Sequence, residues 1–212
     1  MITIARVSIL GGILLVAVLG GAIYYFVQAP FMTNVGVAFD QPVPFSHLHH
    51  VRQLGLDCRY CHTSVDQSEF AGVPPTETCM TCHSQIWTEA PMLEPVRVSW
   101  QEEEPLQWNR VHNLGAFVYF NHSAHINNGI GCESCHGDVA NMPLMWKANT
   151  LQMQWCLDCH RAPEQHLRPL EEITTMGYEP PGDQTQEALG RELIAEYGIE
   201  VGRLDDCSIC HR

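Results

Sequence analysis

All ten cysteines of this 212-residue chain fall into five copies of Cys-x-x-Cys-His. They are Cys58-Cys61-His62, Cys79-Cys82-His83, Cys132-Cys135-His136, Cys156-Cys159-His160 and Cys207-Cys210-His211, called here motifs 1 to 5. Two thiols three residues apart share one face of a helical turn. Both can therefore reach the vinyl groups along one porphyrin edge, while the histidine that follows binds the iron. This is the signature of c-type haem attachment, and five copies imply five covalently held haem c cofactors. Five disulfides would use the same cysteines but give no reason for the adjoining histidines. Zinc sites take two Cys pairs, or one pair with two histidines, and five pairs do not divide into four-cysteine sites.

Each iron needs a sixth ligand unless it binds substrate. Twelve histidines less the five in the motifs leave His47, His49, His50, His112, His122, His125 and His166. Four of these belong to a weak duplication. Phe45-Ser-His47-Leu-His49-His50 precedes motifs 1 and 2, and Phe120-Asn-His122-Ser-Ala-His125 precedes motifs 3 and 4. His-x-x-His places two imidazoles on one helical face, where they can serve two different haems. His47, His50, His122 and His125 are therefore the leading distal ligands. His112 lies in the apolar stretch Trp108-Asn-Arg-Val-His112, while His49, His166, Met142 and Met153 are rivals for single positions. A thioether ligand would raise the potential of its haem.

The elements that must carry these groups are an anchor and a haem-filled domain. No charged residue occurs from Val7 to Val27, a run that spans about 31 Å as a helix and matches the bilayer hydrocarbon. Arg6 flanks it, and Tyr24, Tyr25 and Phe26 sit near its far end. The expected topology is a single pass in the inner membrane, with the N-terminus cytoplasmic and the haem domain periplasmic. A cleaved signal peptide has a shorter apolar region and a small-residue cleavage site, and the sequence through Ala22-Ile-Tyr-Tyr-Phe-Val-Gln-Ala-Pro30 shows no clear one. The net charge of -13 argues against nucleic acid as a partner, since such proteins carry a basic footprint.

With 13 prolines and 16 glycines, a core of side chains alone would be thin, and the macrocycles must supply the rest. The expected fold is mainly α and irregular. Residues 1–30 form the transmembrane anchor and 31–212 the extracytoplasmic pentahaem domain. That domain divides into 31–100 with haems 1 and 2, 101–168 with haems 3 and 4, and 169–212 with a spacer helix and haem 5. The spacer helix is expected from about Gln184 to Tyr197, with Leu189, Leu193, Ile194 and Tyr197 as its apolar stripe. It is expected to carry the fifth haem to a distant point.

Longer phrases are more specific than the motifs. Pro44-Phe-Ser-His-Leu-His-His-Val51, Pro74-Pro-Thr-Glu-Thr-Cys-Met-Thr-Cys-His83, Val118-Tyr-Phe-Asn-His-Ser-Ala-His125 and Met153-Gln-Trp-Cys-Leu-Asp-Cys-His-Arg161 resemble the pentahaem cytochrome subunit of bacterial alternative complex III. The resemblance implies an electron-relay subunit of a quinol oxidoreductase. Its partners would be a large iron–sulfur subunit, polytopic quinol-binding membrane subunits, a monohaem cytochrome c and a soluble acceptor. It also implies distal ligation by His47, His50, His112, His122 and His125. No catalytic residue and no bond-making chemistry are expected. Two rival classes are a tetrahaem-type quinol dehydrogenase anchor and a multihaem reductase, the latter needing a vacant iron position.

Overall fold

The computed structural model describes residues 2–211. Ten α-helices occur among them: α1 (Ile2–Gln28), α2 (Pro30–Thr33), α3 (Cys58–Cys61), α4 (Thr76–His83), α5 (Glu94–Glu102), α6 (His122–Ile126), α7 (Cys132–His136), α8 (Met153–Arg161), α9 (Gln186–Glu196) and α10 (Cys207–Cys210). Short 3-10 turns and one π-helical segment, Leu48–Gln53, fill the intervals. No strand forms among the described residues; pairing is confined to isolated bridges such as Val35–Lys147, Ala38–Trp146 and Ile130–Leu167. The mainly α and irregular class expected from the sequence is the class observed.

The charge-free run lies inside α1, whose most apolar 18-residue stretch has a mean hydropathy of 2.4 and none of whose 27 residues is buried against the rest of the chain. At about 40 Å it exceeds the hydrocarbon thickness, and a helix satisfies its own backbone groups there. Among the described residues α1 is the one helix long and apolar enough to cross a membrane, and it fits a single-pass anchor. Pro30 then opens α2, and Phe31 meets Phe26 edge to face at 5.0 Å.

Side-chain packing in the remaining domain is sparse. One apolar cluster holds Val43, Leu93 and Val96, with Cys79, Met80 and Trp108 against it. Another joins Ile130, Leu167, Leu189 and Leu193, with Cys135, Ile194 and Tyr197 packed around it. Each lies beneath a haem-attachment motif. Helix α9 begins two residues later than expected because the Thr185 hydroxyl caps it, accepting from Ala188 N at 3.2 Å. Its expected stripe does face inward, but the segment does not lead away. Leu189 and Leu193 pack on Ile130 and Leu167, and Gly190 lies so close to the Glu164 backbone that a Cβ there would collide with it. Residues 169–206 thus fold back as a brace, and the approach to motif 5 lies beside motif 4.

Candidate haem-binding site

All five motifs are helical: α3, α7 and α10 begin on the first cysteine, whereas α4 and α8 begin three residues before it. The Asp57 carboxylate caps α3, accepting from Arg59 N at 2.8 Å, so the turn that presents Cys58 and Cys61 is fixed locally. None of the ten cysteines is paired in a disulfide; eight are half-buried and two, Cys82 and Cys207, exposed. Among the described residues no group of three or more His, Cys, Asp or Glu converges as a bare metal ion would require. Burial pushes the Cys135 thiol up to about 12 and the Cys159 thiol up to about 11.

The duplicated elements are the same object built twice. Phe45 stacks on His50 (centroids 4.4 Å apart, planes at 20°) and meets His47 edge-on at 5.0 Å. Phe120 stacks on His125 (4.6 Å, 30°) and meets His122 edge-on at 4.7 Å. In each copy the second histidine donates from Nδ1 to the carbonyl four residues back, His50 to Ser46 at 2.9 Å and His125 to Asn121 at 2.8 Å. The side chain of Asn121 also caps α6 through Ala124 N.

The same anchoring recurs at other histidines. His62 donates to Gly72 O (2.7 Å), His83 to Ile86 O (3.3 Å), His122 to Glu69 O (2.8 Å), His160 to Leu204 O (2.7 Å) and His211 to Phe117 O (3.0 Å). A carbonyl only accepts, so Nδ1 carries the proton and Nε2 presents its lone pair. That is the tautomer a metal-binding imidazole uses, with ring orientation set by the second hydrogen bond.

Ring separations test whether a haem iron fits. A metal–imidazole bond is about 2.0 Å and the ring centre lies about 1 Å beyond, so trans imidazoles stand about 6 Å apart. Three pairs meet this: His50 and His83 at 6.3 Å, His122 and His136 at 6.4 Å, and His125 and His160 at 6.1 Å. Each pair joins one motif histidine to one from a duplicated turn. His47 has His62 as its electrostatic neighbour, and its buried Nδ1 has no hydrogen-bond partner. Desolvation holds His47 near 4 and His136 near 3, neutral as ligation requires. The residues present therefore fit haem.

The other histidines lie differently. His112 places Nε2 3.3 Å from Nδ1 of His136, with centroids 4.3 Å apart; the structure brings it to motif 3. His49 is exposed and bonds Gln53 through Nδ1, and His166 is half-buried at the end of a 3-10 turn. Met142 is almost wholly buried, whereas Met153 is exposed.

One group went unread in the sequence. Arg168, with 8 % of its side chain exposed, pairs with Glu133 inside motif 3 at 2.7 Å and also donates to Thr175 O at 2.9 Å. Glu133 accepts in turn from Gly177 N (2.6 Å) and Tyr178 N (3.3 Å). A Cβ on Gly131 would strike the Arg168 guanidinium, so a larger residue there would displace it from this position. The only sequence signal was an acid between two cysteines, with its partner far along the chain.

Two likenesses to known proteins bear on this arrangement. Residues 118–212, which include motifs 3, 4 and 5, match the family described as cytochrome c7 and related cytochrome c. The multihaem cytochrome c subunit of menaquinone reductase from Nitratidesulfovibrio vulgaris is 30 % identical over 149 residues, covering 60 % of this chain and 70 % of that protein.

Proposed function

Because the chain belongs to the multihaem c-type cytochrome family, we propose that it is the pentahaem electron-relay subunit of a membrane quinol oxidoreductase of the alternative complex III type. The observation that carries this reading is the spacing of 6.1 to 6.4 Å in three histidine pairs that each join a motif to a duplicated turn. Haem c, when bound, supplies one-electron ferric/ferrous chemistry. The ten motif cysteines hold the macrocycles, and His62, His83, His136, His160 and His211 are the proximal ligands. Their distal partners are His47 for motif 1, His50 for motif 2, His122 for motif 3 and His125 for motif 4. His112 is kept as the fifth distal ligand on the resemblance alone, with no motif assigned to it, and it lies beside His136 of motif 3. With a histidine available to each motif, the residues that would hold the haems leave no position for a substrate and suit a relay rather than a reductase site.

Helix α1 would tether the domain of residues 31–212 to the periplasmic face of the inner membrane, with Arg6 keeping the N-terminus cytoplasmic. Quinol-oxidising membrane subunits and an iron–sulfur subunit would deliver electrons, and a monohaem cytochrome c or soluble protein would receive them. The name of the relative favours a second reading, in which electrons run the other way and reach menaquinone.

A pyridine haemochrome measurement on the denatured chain should give five covalent haems, and carbon monoxide should leave the reduced native spectrum unchanged. No haem, with zinc or disulfides found instead, would sink the reading. In the intact complex, quinol should reduce the haems. Reoxidation of prereduced haems by added quinone, with no reduction by quinol, would select the second reading.

A further inference from the structure

The five motifs do not lie in space in the order in which they occur in the chain. Motif 2 touches motif 1 directly: Tyr60 and Thr81, both between the cysteines of their motifs, share a hydrogen bond of 3.0 Å. Motif 1 meets motif 3 through the segment around residue 174, which bonds to the start of both, with Thr174 Oγ1 donating to Asp57 at 3.1 Å and Cys132 N donating to Ile173 O at 3.0 Å. The loop after motif 1 also lies on α6, through His122 to Glu69 and Asn127 to Asp66.

Motifs 3 and 4 are joined by α6 itself, since His122 faces His136 and His125 faces His160 across a single helical turn. Motif 4 touches the approach to motif 5, where His160 donates to Leu204 O and Arg161 pairs with Asp205 at 3.2 Å. An independent sign marks the ends. Of the ten cysteines only Cys82 in motif 2 and Cys207 in motif 5 are exposed.

From these junctions we infer that the haem-holding residues line up in the order motif 2, motif 1, motif 3, motif 4, motif 5, so that electrons enter and leave this chain at motifs 2 and 5. The inference rests on the relay reading above. Each transfer moves one electron, oxidising one iron from ferrous to ferric and reducing its neighbour from ferric to ferrous, with no bond made or broken. Quinol is the two-electron donor at one end, and a one-electron acceptor protein stands at the other. Motif 1, first in the sequence, is interior.

The test uses the full chain with its haems, first counted per polypeptide, and a substoichiometric pulse of photogenerated one-electron reductant followed by absorbance. Five haems in the parent and four in each variant establish the relay; other counts would reject that reading without reaching the order. Removing motif 2 by Cys79→Ala with Cys82→Ala should leave four haems that equilibrate in one fast phase. Removing motif 1 by Cys58→Ala with Cys61→Ala should strand one haem, whose share of the absorbance change then lags. A swap of these outcomes, as sequence order demands, overturns the inference. If a haem-free motif destabilises the chain, His47→Met and His50→Met keep both haems and raise one potential each. Only the His47 variant should trap electrons in the interior and slow exchange between the ends; slowing by His50→Met alone would refute the order.

Discussion

Arg168→Met tests whether motif 3 is held by its buried ion pair. The guanidinium and the Glu133 carboxylate are 8 % and 19 % exposed and 2.7 Å apart. Removing one partner of a buried pair costs about 3–5 kcal/mol, chiefly because the other charge is stranded. Glu133 keeps two backbone donors, Gly177 N and Tyr178 N, which puts the expected loss near the lower bound, about 3 kcal/mol. With a urea dependence of about 3 kcal/mol per molar, the unfolding midpoint should fall by about 1 M. The assay is equilibrium urea unfolding of the haem-loaded protein in detergent, followed by tryptophan fluorescence and by the Soret circular dichroism. The double variant Arg168→Met with Glu133→Gln removes the stranded charge and should recover part of the loss. A single-variant shift below about 0.3 M, or a double variant worse than the single, would refute the argument.

In the reduced His125→Ala protein one carbon monoxide per chain should bind, with a single high-spin ferric signal before reduction, because the side of one haem opposite His160 would then be open; two or none would contradict the proposed pairing. Gly190→Ala should lower the midpoint by an amount matching about 1–3 kcal/mol of overpacking, since the added methyl meets the Glu164 backbone. At an unhindered helical site the same change would stabilise, so a raised midpoint would show that α9 does not press on that turn.

The parts of this molecule legible in the sequence are those fixed by local geometry. Cys-x-x-Cys-His needs one helical turn, and all five copies form it. Phe-x-His-x-x-His was readable twice because the spacing itself puts both imidazoles on one side, and the shared stacking of Phe45 on His50 and Phe120 on His125 follows from the shared pattern. Helix α9 and its stripe were likewise visible as periodicity. What stayed hidden depends on pairs far apart in the chain. Nothing local says that Glu133 will meet Arg168, that His211 will donate to the Phe117 carbonyl, or that Tyr60 will reach Thr81. The path of residues 169–206 was hidden for the same reason: Pro180-Pro181-Gly182 marks a break, but whether the chain turns away or back depends on Leu189 and Leu193 finding Ile130 and Leu167.

The scarcity of apolar packing has a consequence for how such a chain is made. Apart from the two small clusters and a few isolated buried side chains, the interior would be filled by the proposed haems, so little hydrophobic gain offsets chain entropy until thioether bonds form. Maturation and folding are then a single process, as in metal-dependent domains whose ligand-binding energy is their folding energy. A polypeptide that leaves the attachment machinery with one motif unfilled carries a porphyrin-sized void beside its neighbours. The cell's proteases can read that defect directly, which makes completeness of loading self-policing: a chain that persists is a chain that has been fully charged.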